Sequence, residues 1–182
     1  TPTWGAVDLF KSDSDHLVST FGTHGQRIGN FAVQNADLII ALGTRLDTKA
    51  TGSPVSSFAR DAKVIMVDVD KAEIDKFEHF GRPIDLSICS TVEEFLQAVR
   101  ERSFSIPSFV EWAKQIKIWK DQLRSVDREL RNKAKSGAVY DFFEKISSSI
   151  GSDEIILTDT GCSLPWLMQA FHFKGQQRFF HD

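Results

Sequence analysis

An α/β fold with a parallel, doubly wound sheet is predicted for this chain of 182 residues by two observations. Short apolar runs rich in Ile, Val and Leu alternate with helical patterns between about Gly25 and Arg102. Each run ends in a turn of Gly, Thr or Asp and lacks polar alternation, so its strand is expected to be covered on both faces. Right-handed crossovers between such strands produce a parallel sheet.

The first half of the chain carries most of this alternation. Its predicted elements are strands at 36–42 and 63–69, a weaker strand at 83–88, a short helix or turn at 54–60, and a helix at 90–100. Ser90 or Thr91 can cap that helix, and acidic residues occupy its first turn. The apolar face of the helix consists of Val92, Phe95, Leu96 and Val99.

The second half opens with a long amphipathic helix at about 108–133. Its apolar positions step by threes and fours and are Phe109, Trp112, Ile116, Trp119, Leu123, Val126 and Leu130. Packing along a domain surface is the favoured interpretation, and a heptad seam to a partner is the alternative. Gly137 is suited to stop this helix. A second α/β series follows, with a helix at 139–150, a strand at 154–158, a helix at 164–171 and a strand at 178–181.

Three segments result from these patterns. Residues 1–103 are expected to form a central, nucleotide-binding-like domain that lacks its first strand, 104–136 a helical linker, and 137–182 the start of a truncated α/β domain. So few strands in the last segment leave apolar faces exposed, so it is expected to need further chain or a partner.

Composition narrows the class of protein. Hydrophobic residues make up 41% and charged residues 26% of the chain, as in a soluble globular protein. The formal charge of -3 gives no basic footprint for nucleic acid or an anionic membrane. The chain contains no apolar run long enough to span a bilayer and starts without a signal peptide or a methionine, which suggests excision from a longer chain. Cys89 and Cys162 are far apart, which suits a reducing cytoplasm, although a disulfide between them stays open.

Polar residues at the strand ends are the candidate site. Gly22 and Gly25 flank Thr23 and His24 before a helix, where backbone amides bind phosphate or ribose oxygens. After the first strand comes the run Gly43, Thr44, Arg45, Leu46 and Asp47, and after the second come Asp68, Val69 and Asp70. The Arg45 guanidinium can bind a diphosphate with two hydrogen bonds. The Asp47 carboxylate can orient Arg45 or accept a hydrogen bond from a ribose hydroxyl. Dinucleotide binding is therefore predicted, against the plainer interpretation that the acids cap helices.

Catalytic and metal-binding residues are not predicted. The sequence contains no adjacent nucleophile and base, no Cys or His pair with metal-ligand spacing, and no Walker loop. A stand-alone FAD- or NAD-binding module and an interaction domain with an empty crevice are the alternatives from other classes. A sirtuin-like module would need two Cys-x-x-Cys zinc pairs, which two isolated cysteines cannot supply.

The chain resembles thiamine-diphosphate enzymes of the acetolactate synthase large-subunit group over nearly its whole length. The segments that carry this resemblance are 22–25, 30–32, 36–47 (ADLIIALGTRLD), 62–70 (AKVIMVDVD) and 155–169 (IILTDTGCSLPWLMQ). The first four are similar to the central domain of that family, and the last is similar to the start of its diphosphate-binding domain. The order of the segments is more specific than any one of them.

The resemblance implies site residues. The Gly-Met-His-Gly turn of flavin-containing members holds FAD and matches Gly22, Thr23, His24 and Gly25. The Gly-Val-Arg-Phe-Asp motif of the family matches residues 43–47, and its Asp-Ile-Asp motif matches residues 68–70. Asp85 falls near another family contact to the adenosine half of FAD. Where the family has Gly-Gln-His-Gln, the chain has Gly161, Cys162, Ser163 and Leu164, so contact to the diphosphate is expected from the backbone.

The resemblance also implies a reaction for the parent protein. A 2-oxo acid such as pyruvate would be decarboxylated, and the carbanion would add to an acceptor carbonyl, a lyase and transferase chemistry that needs thiamine diphosphate and Mg²⁺. The activating glutamate of the family belongs to an amino-terminal domain, and this sequence has no Gly-Asp-Gly motif for Mg²⁺. The fragment is therefore expected to be structural and cofactor-binding, inactive alone, cytoplasmic, and part of a homo-oligomer, with FAD as a candidate ligand.

Overall fold

The computed structural model describes the backbone of residues 1–103, 105, 107–133 and 137–181, and their side chains except those of 124–133 and 137–138. The chain divides into two compact units. Unit 1 joins Thr1–Asn30 to Glu111–Asp182, and unit 2 is Phe31–Val110. This division follows backbone contacts, and the three segments expected from the sequence stay a prediction.

Unit 2 is built on a three-stranded parallel sheet. Its strands are β1 (Leu38–Leu42), β2 (Lys63–Asp68) and β3 (Leu86–Cys89), in the order β1-β2-β3. The helices are α1 (Arg27–Gln34, which begins in unit 1), α2 (Thr48–Thr51), α3 (Lys71–His79) and α4 (Val92–Arg100), with a 3-10 turn at Val55–Ser57. The parallel pairing of β1 with β2 and of β2 with β3 confirms the α/β prediction.

The central and outer strands of this sheet differ in burial. Val64 and Met66 of β2 are almost completely buried on one face, and Val67 of the same strand is fully buried on the other. On that second face the outer-strand residues Leu38, Ile40 and Leu86 are 47%, 48% and 50% exposed. The coverage of both faces that the sequence predicts is therefore not found for the outer strands within unit 2, because its described helices do not cover these three side chains.

A buried guanidinium organises the loop before β2. Arg82 is 9% exposed, and its Nε donates to the Phe58 carbonyl at 3.0 Å. Its Nη2 donates to the carbonyls of Ala59 and Ala62 at 2.9 and 2.7 Å, and Nη1 donates to Pro83 at 3.1 Å. A charged side chain can be buried here because four carbonyl acceptors replace its water.

Helix boundaries agree with the sequence in some places and not in others. Thr91 caps α4 in a full capping box with Glu94, as predicted. Hydrogen bonds from the Ser90 hydroxyl and then from Thr91 lower the pKa of the Glu94 carboxyl. The prediction that Gly137 stops the long helix is wrong, because that residue opens the next helix. Of the predicted apolar positions on the long helix, Ile116 is buried and Phe109 is exposed. Val126 and Leu130 lie outside the described side chains.

Unit 1 contains the second α/β series. After the 3-10 helix Trp4–Leu9 come α5 (Val110–Lys133), α6 (Gly137–Ser149), β4 (Ile155–Thr158), α7 (Ser163–Ala170) and β5 (Arg178–His181). Strands β4 and β5 pair in parallel, as the sequence predicts for them. The buried core that α7 shares with the 3-10 helix and β5 consists of Val7, Leu164, Leu167, Met168, Phe171, Phe173 and Phe179.

Two further observations concern the described residues as a whole. No helix among them is both long and apolar enough to cross a membrane. The thiols of Cys89 and Cys162 are free and exposed.

Asp8 ties the 3-10 helix to β5. Its Oδ2 accepts hydrogen bonds from Arg178 Nε and from the Phe179 backbone N–H, each at 2.9 Å. The Asp8 side chain is 4% exposed. Burial raises the pKa of this carboxyl, but the two hydrogen bonds and the Arg178 charge outweigh burial and hold the pKa below its ordinary value.

The Asp8→Asn variant is expected to lower the free energy of unfolding by about 1–2 kcal/mol at pH 7, because hydrogen bonds to charged groups are stronger than neutral ones. Because the Asp8 pKa is lower in the native state than in the unfolded state, the ionised carboxylate stabilises the fold. This stabilisation is complete above the unfolded-state pKa of about 3.9 and is lost as the pH falls through the native-state pKa. Urea midpoints at pH 7 and pH 3 measure this. The difference between wild type and variant should shrink at pH 3, and the exposed Asp13→Asn is the control. An equal difference at both pH values would contradict it.

Candidate functional site

The glycine turn of unit 1 is held from inside by one amide side chain. Asn30 Oδ1 accepts from the Gly22 N–H at 2.7 Å, and Asn30 Nδ2 donates to the Gly22 carbonyl at 3.0 Å. Gly22 has φ of 96°, a region that glycine enters at little cost. The turn closes through a hydrogen bond from the Gly25 N–H to the Gly22 carbonyl at 3.1 Å.

Two amides of this turn stay available. Neither the Thr23 N–H nor the His24 N–H has an acceptor within the part of the chain that the structure describes. Both residues are exposed. Such N–H groups in a turn before a helix are donors that suit an anionic oxygen.

Helix α7 packs against this turn through polar contacts that the sequence did not predict. Gln169 Nε2 donates to the His24 carbonyl at 2.8 Å, and Gln26 Nε2 donates to the Gln169 carbonyl at 3.2 Å. The rings of Trp4 and His24 lie 5.6 Å apart. Glutamines 143 positions apart leave no local pattern in a sequence, so only the fold brings them together.

The second predicted loop of unit 1 lies between β4 and α7. Gly161 has φ of 86°, and the Ser163 hydroxyl donates to the Asp159 carbonyl at 3.1 Å. The backbone N–H groups of Gly161, Cys162 and Ser163 have no acceptor among the described residues. Open amides at a helix N-terminus are donors that suit the oxygens of a phosphate.

These two sets of amides do not meet in one pocket. The loop at 161–163 lies at the amino end of α7, whereas Gln169 contacts the glycine turn near the carboxyl end of the same helix. At 1.5 Å per residue the two positions are separated by roughly 9 Å along the helix. They therefore suit different groups, or distant parts of one ligand.

In unit 2 the arginine predicted to bind diphosphate lies at the carboxyl edge of the sheet. Gly43 follows β1 with φ of 56° and donates its N–H to the Val67 carbonyl at 2.9 Å. Arg45 Nε pairs with Glu73 Oε1 at 3.2 Å while the Arg45 side chain is 73% exposed. The Lys76 hydrogen bond lowers the pKa of Glu73, burial opposes it, and Arg45 adds to the lowering. Glu73, and not Asp47, orients the arginine.

The predicted acids at this edge are mostly committed to the backbone. Asp47 caps α2 by accepting from the Ala50 N–H at 3.0 Å, and Asp70 caps α3 by accepting from the Ala72 N–H at 2.9 Å. Asp68 is buried and accepts from the Asp70 N–H at 2.9 Å. The plainer interpretation of these acids, as caps, is confirmed for Asp47 and Asp70. Val69 beside them is 67% exposed.

Asp85 does not lie at this edge. It precedes β3, and its Oδ2 accepts from the N–H of Val64, near the start of β2, at 2.8 Å. Four residues of strand separate it from Cys89 at the carboxyl edge, about 13 Å. The residues that β3 brings to Asp68 are instead Cys89, its ladder partner, and Ser90, whose N–H donates to the Asp68 carbonyl at 3.1 Å. The sequence predicted this strand at 83–88, whereas β3 spans Leu86–Cys89, so the pairing of Cys89 with Asp68 was not predicted.

The predicted residues thus fall into separate sets. Gly22 to Gly25 and Gly161 to Ser163 lie in unit 1, and the residues from Gly43 to Asp70 lie in unit 2. The crevice that the sequence predicts for all of them stays a prediction. Among the described residues no group of three or more His, Cys, Asp or Glu side chains is placed to hold a metal ion.

Comparison with known proteins identifies the sequence pattern. The family described as "Thiamine pyrophosphate enzyme, central domain" matches residues 1–99. The chain is 35% identical over 123 residues to an acetolactate synthase large subunit of Pyropia yezoensis, across 67% of this chain and 21% of that protein. It is 32% identical over 186 residues to acetolactate synthase 1, chloroplastic, of Zea mays, across 98% of this chain and 28% of that protein.

A third relative matches nearly the whole chain. The chain is 32% identical over 180 residues to an acetolactate synthase large subunit of Parasynechococcus marenigrum, across 96% of this chain and 26% of that protein. The chain therefore spans between a fifth and three tenths of the length of these three relatives.

Proposed function

The chain belongs to the thiamine pyrophosphate enzyme family through its central domain, and on that premise we propose that it is the cofactor-binding part of a 2-oxo acid decarboxylase and carboligase. Its own contribution is to hold a nucleotide cofactor and one end of a diphosphate. The observation that carries this proposal is the set of uncommitted backbone amides at the glycine turn and at the start of α7. The carboligase activity is named after the acetolactate synthases to which the chain is similar.

The loop before α7 fits the diphosphate of thiamine diphosphate. Its three open amides point to an anion, and an added Cβ at Gly161 would have no atom within 4 Å, so the backbone is approachable. Thiamine diphosphate, when bound, would supply a cationic thiazolium ring as the electron sink for decarboxylation. Gly161, Cys162 and Ser163 would hold diphosphate oxygens by their N–H groups. Neither a Gly-Asp-Gly sequence nor, among the described residues, a metal-binding group accompanies them, so Mg²⁺ is assigned to other parts of the parent protein.

The carboxyl edge of unit 2 fits an anionic nucleotide. Arg45 is held by one Nε contact to Glu73, which leaves its two terminal nitrogens for bidentate contact with a phosphate. The open amides of Thr23 and His24 offer further donors in unit 1. We assign FAD to the carboxyl edge of unit 2 as the proposed ligand, following the family pattern that matches Gly43 to Asp47.

Titration with FAD tests the proposal. Flavin fluorescence should be quenched and the melting temperature raised in proportion to the bound fraction. Arg45→Gln should weaken binding about tenfold or more, since a charge-assisted hydrogen bond contributes about 1.5–3 kcal/mol. Arg60→Gln is the matched control, because Arg60 is exposed at another part of unit 2 and should leave the affinity unchanged.

Two results would contradict the proposal. No response at high micromolar FAD would remove the flavin assignment and favour the interaction domain with an empty crevice. Turnover of pyruvate by this chain with thiamine diphosphate and Mg²⁺ would remove the claim that it is catalytically incomplete. The homo-oligomeric state of the parent protein and its cytoplasmic location stay predictions.

A further inference from the structure

A cavity of about 130 Å³ lies within unit 1, apart from both predicted cofactor loops. Its wall is formed by the segment before α1, the first turn of α1, the middle of α5 and the end of α7 with the residues that follow. An engineered apolar cavity of about 150 Å³ in another protein binds benzene, which has six heavy atoms. By comparison of volumes, the cavity of unit 1 is large enough for a ligand of roughly six heavy atoms.

One side of the cavity carries unpaired donors. Arg27 and His172 line it, and neither side chain has a hydrogen-bond or ion-pair partner among the described residues. The backbone N–H groups of Arg27 and Ile28 are likewise without acceptors, as first-turn amides of α1. These donors lie at the positive end of the α1 dipole.

A buried hydroxyl adds a second, independent observation. Thr20 also lines the cavity and is 6% exposed, and its Oγ1 has no hydrogen-bond partner among the described residues. A buried polar atom without a partner is costly and is uncommon in native proteins. The oxygen itself is enclosed in this conformation. Rotation about the Cα–Cβ bond of Thr20 would exchange the hydroxyl and methyl positions and turn the hydroxyl toward the cavity, where a bound acceptor would satisfy it.

The rest of the wall selects against other ligand classes. Leu17, Met168 and Phe171 supply apolar surface, and no Asp or Glu among the described side chains lines the cavity. A cationic amine would find no counter-charge among these side chains, and inorganic phosphate would leave the apolar surface unused. The combination matches a carboxylate with a short aliphatic body.

We propose that this cavity is a binding site for a small branched carboxylate, held by Arg27, the first-turn amides of α1 and the Thr20 hydroxyl. Isobutyrate, with six heavy atoms, is the probe. The chain has two methionines, of which Met168 lines the cavity and Met66 lies buried in the sheet of unit 2. Methyl-labelled methionine therefore gives one reporter signal and one internal control.

Isobutyrate should shift the Met168 methyl signal saturably at low millimolar concentration and leave Met66 unchanged, with Met66→Leu assigning the peaks. Isobutyramide, the neutral isostere, should bind at least about tenfold more weakly, since it cannot form the charge-assisted bonds. Arg27→Gln should lower the affinity for isobutyrate at least about fivefold, and Arg60→Gln should leave this affinity unchanged. Thr20→Val tests the hydroxyl in a side chain of the same shape and should also weaken binding.

The opposite results would overturn the proposal. An unshifted Met168, or equal shifts of both methionines, would exclude the site. Equal affinity for isobutyramide would make the cavity merely apolar, and phosphate that displaces isobutyrate at equal concentration would make the site a general oxyanion site. An Arg27→Gln protein that is folded and binds isobutyrate like the wild type would remove the assigned contact.

Discussion

Replacing Arg82 with methionine is expected to lower the free energy of unfolding of unit 2 by about 3–5 kcal/mol, because removing one partner of a buried charged network leaves buried groups without partners. Methionine roughly keeps the volume of the side chain and removes all of its donors. The carbonyls of Phe58, Ala59, Ala62 and Pro83 would lose their guanidinium hydrogen bonds. Ala59 is the sensitive point, since it has φ of 41°, a conformation that an alanine holds only under constraint.

Urea unfolding followed by circular dichroism measures this effect, and Arg60→Met is the control because Arg60 is exposed. Arg82→Lys should fall between the wild type and Arg82→Met, since an ammonium cannot reach four carbonyls in the geometry of a guanidinium. An Arg82→Met protein within about 1 kcal/mol of wild type would mean that water replaces the guanidinium in the loop.

The Gly25→Ala variant is expected to destabilise unit 1 by about 2–4 kcal/mol, since an inserted atom in a packed backbone cannot be relieved by a rotamer change. A Cβ there would lie 2.3 Å from the Phe21 carbonyl carbon and 2.6 Å from its oxygen. The turn cannot open to accept it without breaking the hydrogen bond from the Gly25 N–H to the Gly22 carbonyl and the two hydrogen bonds between Gly22 and the Asn30 side chain.

Gly5→Ala is the matched control, because a Cβ on Gly5 meets no atom within 4 Å. Urea midpoints give the free-energy difference, and amide hydrogen exchange at Gly22 and Gly25 reports the turn itself. Both amides should lose protection in Gly25→Ala and keep it in Gly5→Ala. Equal midpoints and unchanged exchange in the two variants would show that the turn is looser than its geometry indicates.

Much of the fold of this chain could be predicted because its signals are local. The apolar runs predicted β1 and β2 to within two residues, and the Thr91 cap was readable from the acids that follow it. Gly137 was misread because a glycine after a long amphipathic run has the same local signature whether it closes one helix or opens the next. The described structure places it at the start of α6.

The site was less predictable because its arrangement depends on distant contacts. Arg45 was identified as a phosphate-binding candidate from its place after a strand, but its partner Glu73 lies in helix α3, distant along the chain. The burial of Arg82 depends on carbonyls 20 to 24 positions away, and no composition rule predicts it. The resemblance placed Asp85 near a contact to the adenosine half, and the structure has this residue at the amino end of β3, because β3 begins one residue after it.

The two hydrogen bonds between Asn30 and Gly22 fix the backbone of the glycine turn without the side chains at its tip. Since one amide side chain satisfies both polar groups of Gly22, the geometry of the turn does not depend on the side chain at position 23. The Thr23 side chain is exposed, and it takes no part in the hydrogen bonds that hold the turn. An exchange at position 23 is therefore expected to leave the backbone of the loop in place, so this position can be varied to test whether the turn binds a ligand.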